Sequence, residues 1–247
     1  MKAADFQKRP RFRPVENPVR LAAVVLFAAS WFLCAADSAA RRLVIIGDST
    51  VCNYPDSEPT RGWGQFIRGY FKDSVRVINL AKSGRSTKTF IKEGLWEKAL
   101  MEQPDFVLIQ FGHNDSHAAG RPESTEAPTD YKDYLRRYID EARATGAMPI
   151  LITPMHRRTF GTDGQLTDIL RPYANAMKEV AAEKKVAVID LHAASGKLFQ
   201  QLGEAASAKM ANQSGDRTHF NEQGAKAMAG LVMKELSVEP SLKKHLK

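Results

Sequence analysis

The feature that most constrains the fold of this chain is a series of short apolar runs that alternate with amphipathic segments. Five such runs, rich in aliphatic and β-branched residues, lie at residues 43–46, 75–80, 106–111, 150–153 and 186–191. Nearly continuous apolar runs of this short length are typical of strands that are buried on both faces of a sheet. They therefore predict five strands of a mainly parallel sheet.

The segments between these runs have the spacing of helices. Their apolar residues recur at i, i+3, i+4 and i+7, which places them on one face of a helix. The three sets are Tyr131, Tyr134, Leu135, Tyr138, Ile139 and Ala142; Ile169, Tyr173, Ala176, Met177 and Val180; and Ala225, Met228, Leu231 and Val232. Asn221 is predicted to cap the third helix. The tyrosines could stack on sugars, but at helical spacing we interpret them as core.

Strands that alternate with helices predict an α/β fold. We expect a three-layer α/β/α sandwich around a five-stranded parallel sheet with the flavodoxin-like order 2-1-3-4-5, in a single domain at residues 41–247. In such sheets the functional site lies beyond the carboxyl ends of the strands, beside strand one.

Residues 1–40 differ from the rest of the chain. A basic stretch at residues 1–20 precedes an uncharged apolar run at 21–36, and small residues follow. This is the pattern of a secretory signal peptide, so we expect export to the periplasm or the extracellular space. The apolar run is shorter than the ~20 residues of a membrane span. An uncleaved signal anchor is the alternative.

Charge and cysteine content narrow the possible partners. Of the formal net charge of +8, the first forty residues carry +3 and the remainder +5. This weak excess of positive charge is spread along the chain, which suits an anionic polymer substrate. Nucleic-acid binding typically needs basic residues clustered on one surface. Cys34 lies in the signal segment, so Cys52 has no disulfide partner after cleavage. We expect a monomer that binds no nucleic acid and, once cleaved, no membrane.

Four polar segments occupy the positions where the site is expected. Residues 47–50 (GDST), 79–86 (NLAKSGRS) and 112–115 (GHND) follow the first three strands. Residues 216–220 (DRTHF) precede the last helix. In the predicted fold the first three segments meet at one edge of the sheet, and the fourth can fold back over them.

These segments contain the groups that acyl transfer requires. A serine nucleophile needs a base within hydrogen-bond reach, and the base needs a partner that sets its tautomer. Ser49, His219 and Asp216 are predicted to fill these roles. The N–H groups of Ser49 and Gly84 and the amide of Asn114 are candidate oxyanion donors. Each residue alone also fits a turn, a cap or a surface position, and their order along the chain favours catalysis.

The four segments, in this order, resemble the blocks of the SGNH, or GDSL, hydrolase superfamily. The resemblance implies a triad of Ser49, Asp216 and His219, an oxyanion hole of Ser49, Gly84 and Asn114, and the same three-layer fold. The longer motifs GDSTVCNYP, RGWGQ, NLAKSGRSTKTF, QFGHND, TPMHRRTF and GDRTHFNEQGA are similar to those of rhamnogalacturonan acetylesterases of carbohydrate esterase family 12. This similarity implies a secreted, cofactor-independent esterase that deacetylates the rhamnogalacturonan backbone of pectin through an acetyl-serine intermediate.

Two other functions stay open. A serine esterase acting on other acetylated sugars, lipids or thioesters would use the same triad, although the chain has no long apolar insertion to hold an acyl chain. A non-catalytic carbohydrate-binding protein on the same scaffold is the second alternative, which the four intact segments disfavour.

Three residues after the fourth strand are weaker candidates for binding substrate. Arg157 and Arg158 could bind a uronate carboxylate in fork geometry, or form a structural ion pair with Asp163 or Asp168. His156, directly before them, could contact substrate or have no role.

His113 and His117 stand four residues apart, which is a metal-like spacing on a helix. They lie in a predicted loop, however, with no third ligand nearby in the sequence. We therefore expect neither a metal nor a cofactor.

Overall fold

The computed structural model describes residues 40–247. The predicted signal segment at residues 1–40 lies outside this range apart from Ala40, so its cleavage and the export of the protein stay predictions. Among the described residues, no helix combines the length and the apolar character that crossing a membrane requires.

Five parallel strands form the central layer. They are β1 (Arg41–Gly47), β2 (Val75–Asn79), β3 (Phe106–Gln110), β4 (Met148–Ile152) and β5 (Ala187–Ile189). Their spatial order is β2-β1-β3-β4-β5, which confirms the predicted fold class and strand order. Strand β1 lies between β2 and β3, and its register aligns Gly47 with Gln110 at the end of β3. The turns after these three strands therefore meet at one edge.

Helices cover both faces of the sheet. They are α1 (Thr87–Lys92), α2 (Leu95–Met101), α3 (Asp130–Ala144), α4 (Arg171–Lys184), α5 (Leu191–Ala208), α6 (Glu222–Leu236) and α7 (Pro240–Lys243), with 3₁₀ turns at Trp63–Gln65 and Ile67–Tyr70. Helices α1 to α4 pack with Val44 and Ile46 of β1, and α5 to α7 belong to the core that contains Leu43 and Ile45. Successive strand residues point to opposite faces, which produces the three layers.

The three amphipathic segments form α3, α4 and α6. In α3, Tyr131 and Tyr138 are fully buried, so the tyrosines belong to the core as predicted. The Asn221 side chain accepts a hydrogen bond of 3.0 Å from the Gly224 amide and caps α6. Ile169 lies outside α4 and is 58% exposed, because the helix begins at Arg171 with a proline in its first turn.

The turn at residues 62–65 packs directly on the turn that carries Ser49. The Trp63 amide donates to the Thr50 carbonyl at 3.0 Å, and the buried Trp63 ring donates through Nε1 to Gln110 Oε1 at 2.7 Å. Gly62 leaves no room for a side chain, because a Cβ atom there would lie 2.2 Å from the carbonyl oxygen of Cys52. The close approach of these two turns therefore depends on a glycine.

Replacing Gly62 with alanine is expected to lower the free energy of unfolding by roughly 3 kcal/mol, because the added methyl group meets backbone atoms that cannot move aside easily. Gly69→Ala is the matched control, since a Cβ atom at residue 69 meets nothing within 4 Å. Its stability should stay within about 1 kcal/mol of wild type. Urea unfolding of the three proteins measures both effects, and an equal change in the two variants would contradict the packing argument.

Candidate active site

Ser49 lies in a tightly bonded turn at the end of β1. The Asp48 carboxylate accepts hydrogen bonds from the amide and the hydroxyl of Thr50, at 2.9 and 2.7 Å. The Tyr54 hydroxyl donates to the Ser49 carbonyl at 2.8 Å. Ser49 itself is only 6% exposed. The backbone around this serine is thus held by side chains on both sides of it.

Ser49, His219 and Asp216 are joined in one hydrogen-bonded chain. The distance from Ser49 Oγ to His219 Nε2 is 3.0 Å, and that from His219 Nδ1 to Asp216 Oδ2 is 2.8 Å. Asp216 Oδ1 accepts from the amides of Thr218 and His219, at 2.6 and 2.7 Å. The loop before α6 is therefore folded around the aspartate that orients the histidine. This arrangement can draw the proton from the serine hydroxyl.

The charge of Asp216 is stabilised in place. Partial burial would raise the pKa of its carboxyl group, but hydrogen bonds from the His219 ring and from the amides of His219 and Thr218 together lower the pKa below its ordinary value. Asp216 is therefore ionised at neutral pH and can stabilise a positive charge on the imidazole.

The predicted oxyanion donors lie in loops that are tied to the end of β1. The Lys82 amide donates to the Gly47 carbonyl at 2.9 Å, which anchors the loop of Gly84. Asn114 Nδ2 donates one hydrogen to the Arg85 carbonyl at 2.9 Å, so its second hydrogen can serve an oxyanion. Gly84 has a φ of +78°, in the region that favours glycine. The structure thus brings the three loops together.

The sequence does not predict the buried contact between His113 and Asp48, beside the serine. His113 Nδ1 lies 3.4 Å from Asp48 Oδ2, and both side chains are almost completely buried. Burial lowers the pKa of His113, while the nearby Asp48 partly opposes that shift.

The side chain of His117 contacts Glu123, with Nδ1 2.7 Å from Oε1. His113 and His117 therefore contact different partners, and their spacing does not mark a shared site.

Arg158 is a buried support of the catalytic loop. Its side chain is fully buried, and Nη2 donates to the carbonyls of Asp216 and His219, at 3.1 and 2.8 Å. The guanidinium carbon lies 4.4 Å from the centroid of the Phe220 ring. Burial lowers the pKa of Arg158 to about 10. This placement favours a structural role over contact with a uronate, with backbone carbonyls as partners in place of the expected Asp163 or Asp168.

Arg157 and His156 are placed differently. Arg157 is half-buried and donates to the Thr218 hydroxyl and to the His113 carbonyl, so it bridges the catalytic loop and the loop after β3. His156 is 7% exposed and stacks on His192, with ring centroids 4.7 Å apart. Its Nδ1 lies 2.9 Å from the Arg157 carbonyl. Contact of either side chain with substrate stays a prediction.

Replacing Arg158 with methionine is expected to lower the free energy of unfolding by about 2 kcal/mol, because it removes the donor from two carbonyls inside the protein. Arg143→Met is the matched control, since Arg143 is exposed and donates to the Lys185 carbonyl at 3.1 Å. That variant should change stability by less than about 0.5 kcal/mol. Chemical unfolding measures both, and a neutral Arg158→Met variant would rule out the supporting role.

Comparison with known proteins places the chain in a family. Residues 45–227 match the model of the GDSL-like Lipase/Acylhydrolase family. The chain is 41% identical over 201 residues to "Probable rhamnogalacturonan acetylesterase YesY" from Bacillus subtilis (strain 168), covering 79% of this chain and 92% of YesY. It is 37% identical over 224 residues to "Rhamnogalacturonan acetylesterase RhgT" from the same organism, covering 83% of this chain and 94% of RhgT.

The fold has a counterpart among solved structures. The crystal structure of protein YxiM from Bacillus subtilis matches with a TM-score of 0.71 and 31% identity, covering 81% of this chain and 56% of the YxiM chain. The family match spans the segments that carry Ser49 and His219, and the relatives are matched over most of their length. The chain therefore belongs to the GDSL-like lipase/acylhydrolase family and is a carboxylic ester hydrolase.

Proposed function

We propose that the protein removes O-acetyl groups from the pectic polysaccharide rhamnogalacturonan through an acetyl-serine intermediate. The hydrogen-bonded chain from Ser49 through His219 to Asp216 is the observation that carries the hydrolytic part. Similarity to two proteins named as rhamnogalacturonan acetylesterases, at 41% and 37% identity, supports the substrate.

In the acylation step, His219 accepts the hydroxyl proton of Ser49 while Oγ attacks the acetyl carbonyl carbon. Nδ1 of His219 donates to Asp216, so Nε2 carries the lone pair that takes this proton. The ionised Asp216 stabilises the imidazolium that forms. The oxyanion accepts hydrogen bonds from the N–H groups of Ser49 and Gly84 and from the amide of Asn114.

The tetrahedral intermediate then collapses, and His219 returns the proton to the departing sugar oxygen. This step breaks the bond between the carbonyl carbon and the sugar oxygen, and it leaves an acetyl group on Oγ of Ser49. A water molecule gives a proton to His219 and attacks the acetyl carbonyl. In the second collapse the bond between the acetyl carbon and Oγ breaks, and His219 returns its proton to Oγ. Acetic acid leaves and ionises to acetate, so one ester bond is hydrolysed with water as the only co-reactant.

The exposure of the triad supports an ester with a small acyl group. The His219 side chain is 34% exposed, Asp216 behind it is 14% exposed, and Ser49 is 6% exposed. The base of the triad is thus open to solvent, and the limited exposure of the serine favours an acetyl group over a bulky acyl group. The net charge of +5 on residues 41–247 would attract a uronate-containing polymer weakly. All the proposed catalytic groups come from one chain, which is consistent with a monomer.

The proposed substrate also requires a location outside the cytoplasm. The basic, apolar and small-residue pattern of residues 1–40 supports export to the periplasm or the extracellular space. The polysaccharide and the protein would meet there.

The substrate prediction is tested by acetate release from acetylated rhamnogalacturonan and from acetylated xylan. The wild type should release acetate mainly from the pectic polymer, and Ser49→Ala should lose more than about 10⁴-fold of this activity because no nucleophile remains. Ser237→Ala makes the same chemical change at an exposed helix end and should be fully active.

The outcomes separate the substrate from the mechanism. Release mainly from xylan, still lost in Ser49→Ala, would keep the serine mechanism and refute the pectic substrate. An inert wild type that is folded, and that also fails on a small acetyl ester, would refute the esterase proposal itself.

Asn114→Ala tests the oxyanion hole on a small acetyl ester. The loss of one donor should lower kcat by about 10²–10³-fold with little change in KM, because the donor acts mainly on the transition state. Asn114→Asp keeps the size of the side chain, but its carboxylate cannot donate and repels the oxyanion. Steady-state kinetics should therefore find it at least as impaired, and an active Asn114→Asp variant would exclude the donor role.

A further inference from the structure

We propose that His156, Asp168 and His192 form a binding site for one divalent transition-metal ion and that this site prefers Zn²⁺. The ligand atoms would be Nε2 of each histidine and Oδ1 of the aspartate. The cluster lies between the loop after β4 and the start of α5, apart from the hydrogen-bonded chain of Ser49, His219 and Asp216. Its existence does not depend on the proposed polysaccharide substrate.

The three ligand atoms already have nearly the spacing of a metal site. Asp168 Oδ1 lies 2.9 Å from His192 Nε2 and 3.6 Å from His156 Nε2, and one ligand atom from each residue lies within 4.8 Å of the others. Zinc binds such ligands at about 2.0–2.2 Å, so two ligands of a tetrahedral ion lie roughly 3.3 Å apart. The two spacings to Asp168 Oδ1 bracket this value, and the histidine ligand atoms, within 4.8 Å of each other, would move closer together around a bound ion.

The outer nitrogens of both rings contact backbone carbonyls. Nδ1 of His156 lies 2.9 Å from the Arg157 carbonyl, and Nδ1 of His192 lies 3.1 Å from the Pro154 carbonyl. A carbonyl only accepts, so Nδ1 carries the hydrogen in each ring, and the Nε2 of a neutral ring carries a lone pair. Metal-binding histidines commonly make this contact through the nitrogen that does not bind the metal.

The contact between His192 and Asp168 is one that a metal ion could take over from a proton. Nδ1 of His192 faces the Pro154 carbonyl, and Nε2 faces Asp168 Oδ1 at 2.9 Å. A ring that donates from Nδ1 can meet this carboxylate oxygen through a hydrogen on Nε2 or through a metal ion bound to the Nε2 lone pair.

The rest of the cluster holds the ligands in position and leaves access for an ion. The amides of His156 and His192 donate to the hydroxyls of Ser195 and Thr153, at 2.9 and 2.8 Å. The side chains of His156, His192 and Asp168 are 8%, 9% and 15% exposed. The protein supplies three ligands, so a fourth position is open to water.

The positive charge of Arg171 lies against the cluster. Arg171 Nε donates to Asp168 Oδ2 at 2.8 Å, which leaves Oδ1 for an ion. The Arg171 side chain is 68% exposed, so solvent weakens its repulsion of a metal. A bound ion would join the loop that contains Arg158 to α5. It would thereby stiffen the support of the Asp216–His219 loop.

Isothermal titration of the EDTA-treated and desalted full chain with ZnCl₂ near neutral pH tests the site. We expect one ion per chain with a Kd of about 1 µM or lower. His192→Ala and Asp168→Asn should each weaken binding by about 100-fold or more. His117→Ala is the matched control, because His117 pairs with Glu123 outside the cluster, and it should bind zinc like wild type.

A second measurement does not depend on the variants. A saturating Zn²⁺ concentration should raise the Tm of the wild type by roughly 5 °C. Anomalous diffraction from zinc-soaked crystals should give a peak about 2.0–2.2 Å from the three ligand atoms. Stoichiometric binding with this peak would establish the site even if His192→Ala failed to fold. If zinc does not bind stoichiometrically, a proton and not a metal ion lies between His192 and Asp168, and the proposal is overturned. Undiminished binding by a folded His192→Ala variant, or an anomalous peak elsewhere, would also overturn it.

Discussion

The parallel pairing of β1 with β2 and β3 is the constraint on which the candidate active site depends. Parallel strands end at the same edge of a sheet, so three turns that are distant in the chain become neighbours there. One of these turns carries Ser49, the next Gly84 and the third Asn114. The fourth element, the loop of Asp216 and His219, follows none of these strands, and other contacts have to hold it against them.

Those contacts centre on two adjacent arginines. Arg157 donates to the Thr218 hydroxyl, and Arg158 donates to two backbone carbonyls of the Asp216–His219 loop. A buried guanidinium is costly unless its hydrogen bonds replace water. In Arg158, Nη2 makes such bonds, Nε and Nη1 have no hydrogen-bond partner among the described residues, and the face of Phe220 offers the group a further contact. The loop after β4 therefore supports the catalytic loop. The proposed metal ion would bind on that same loop, at His156.

Sequence patterns predicted the five strands and three of the seven described helices, α3, α4 and α6, because the periodicity of each is a local signal. The strand order followed from the general rules for α/β sheets. A run such as 43–46 indicates a doubly buried strand wherever it occurs, and the spacing of Tyr131 and Tyr138 indicates a helix face. The choice of Ser49, Asp216 and His219 also relied on local order, since each lies next to a predicted element. Arg158 was harder to interpret, because adjacent arginines in a loop look alike until the partners of each are known.

The sequence by itself therefore determined the α/β architecture, the edge of the sheet where the site lies and the residue types of the triad. Only the tertiary structure decided what depends on contacts between distant segments. It buried Arg158 against the carbonyls of residues 216 and 219, paired His113 with Asp48, and gathered ligands separated by 12 and 24 residues at His156, Asp168 and His192. The physical reason is that hydrogen bonds and metal ligation act over about 2–4 Å in space, and spacing along the chain does not report such distances across different loops.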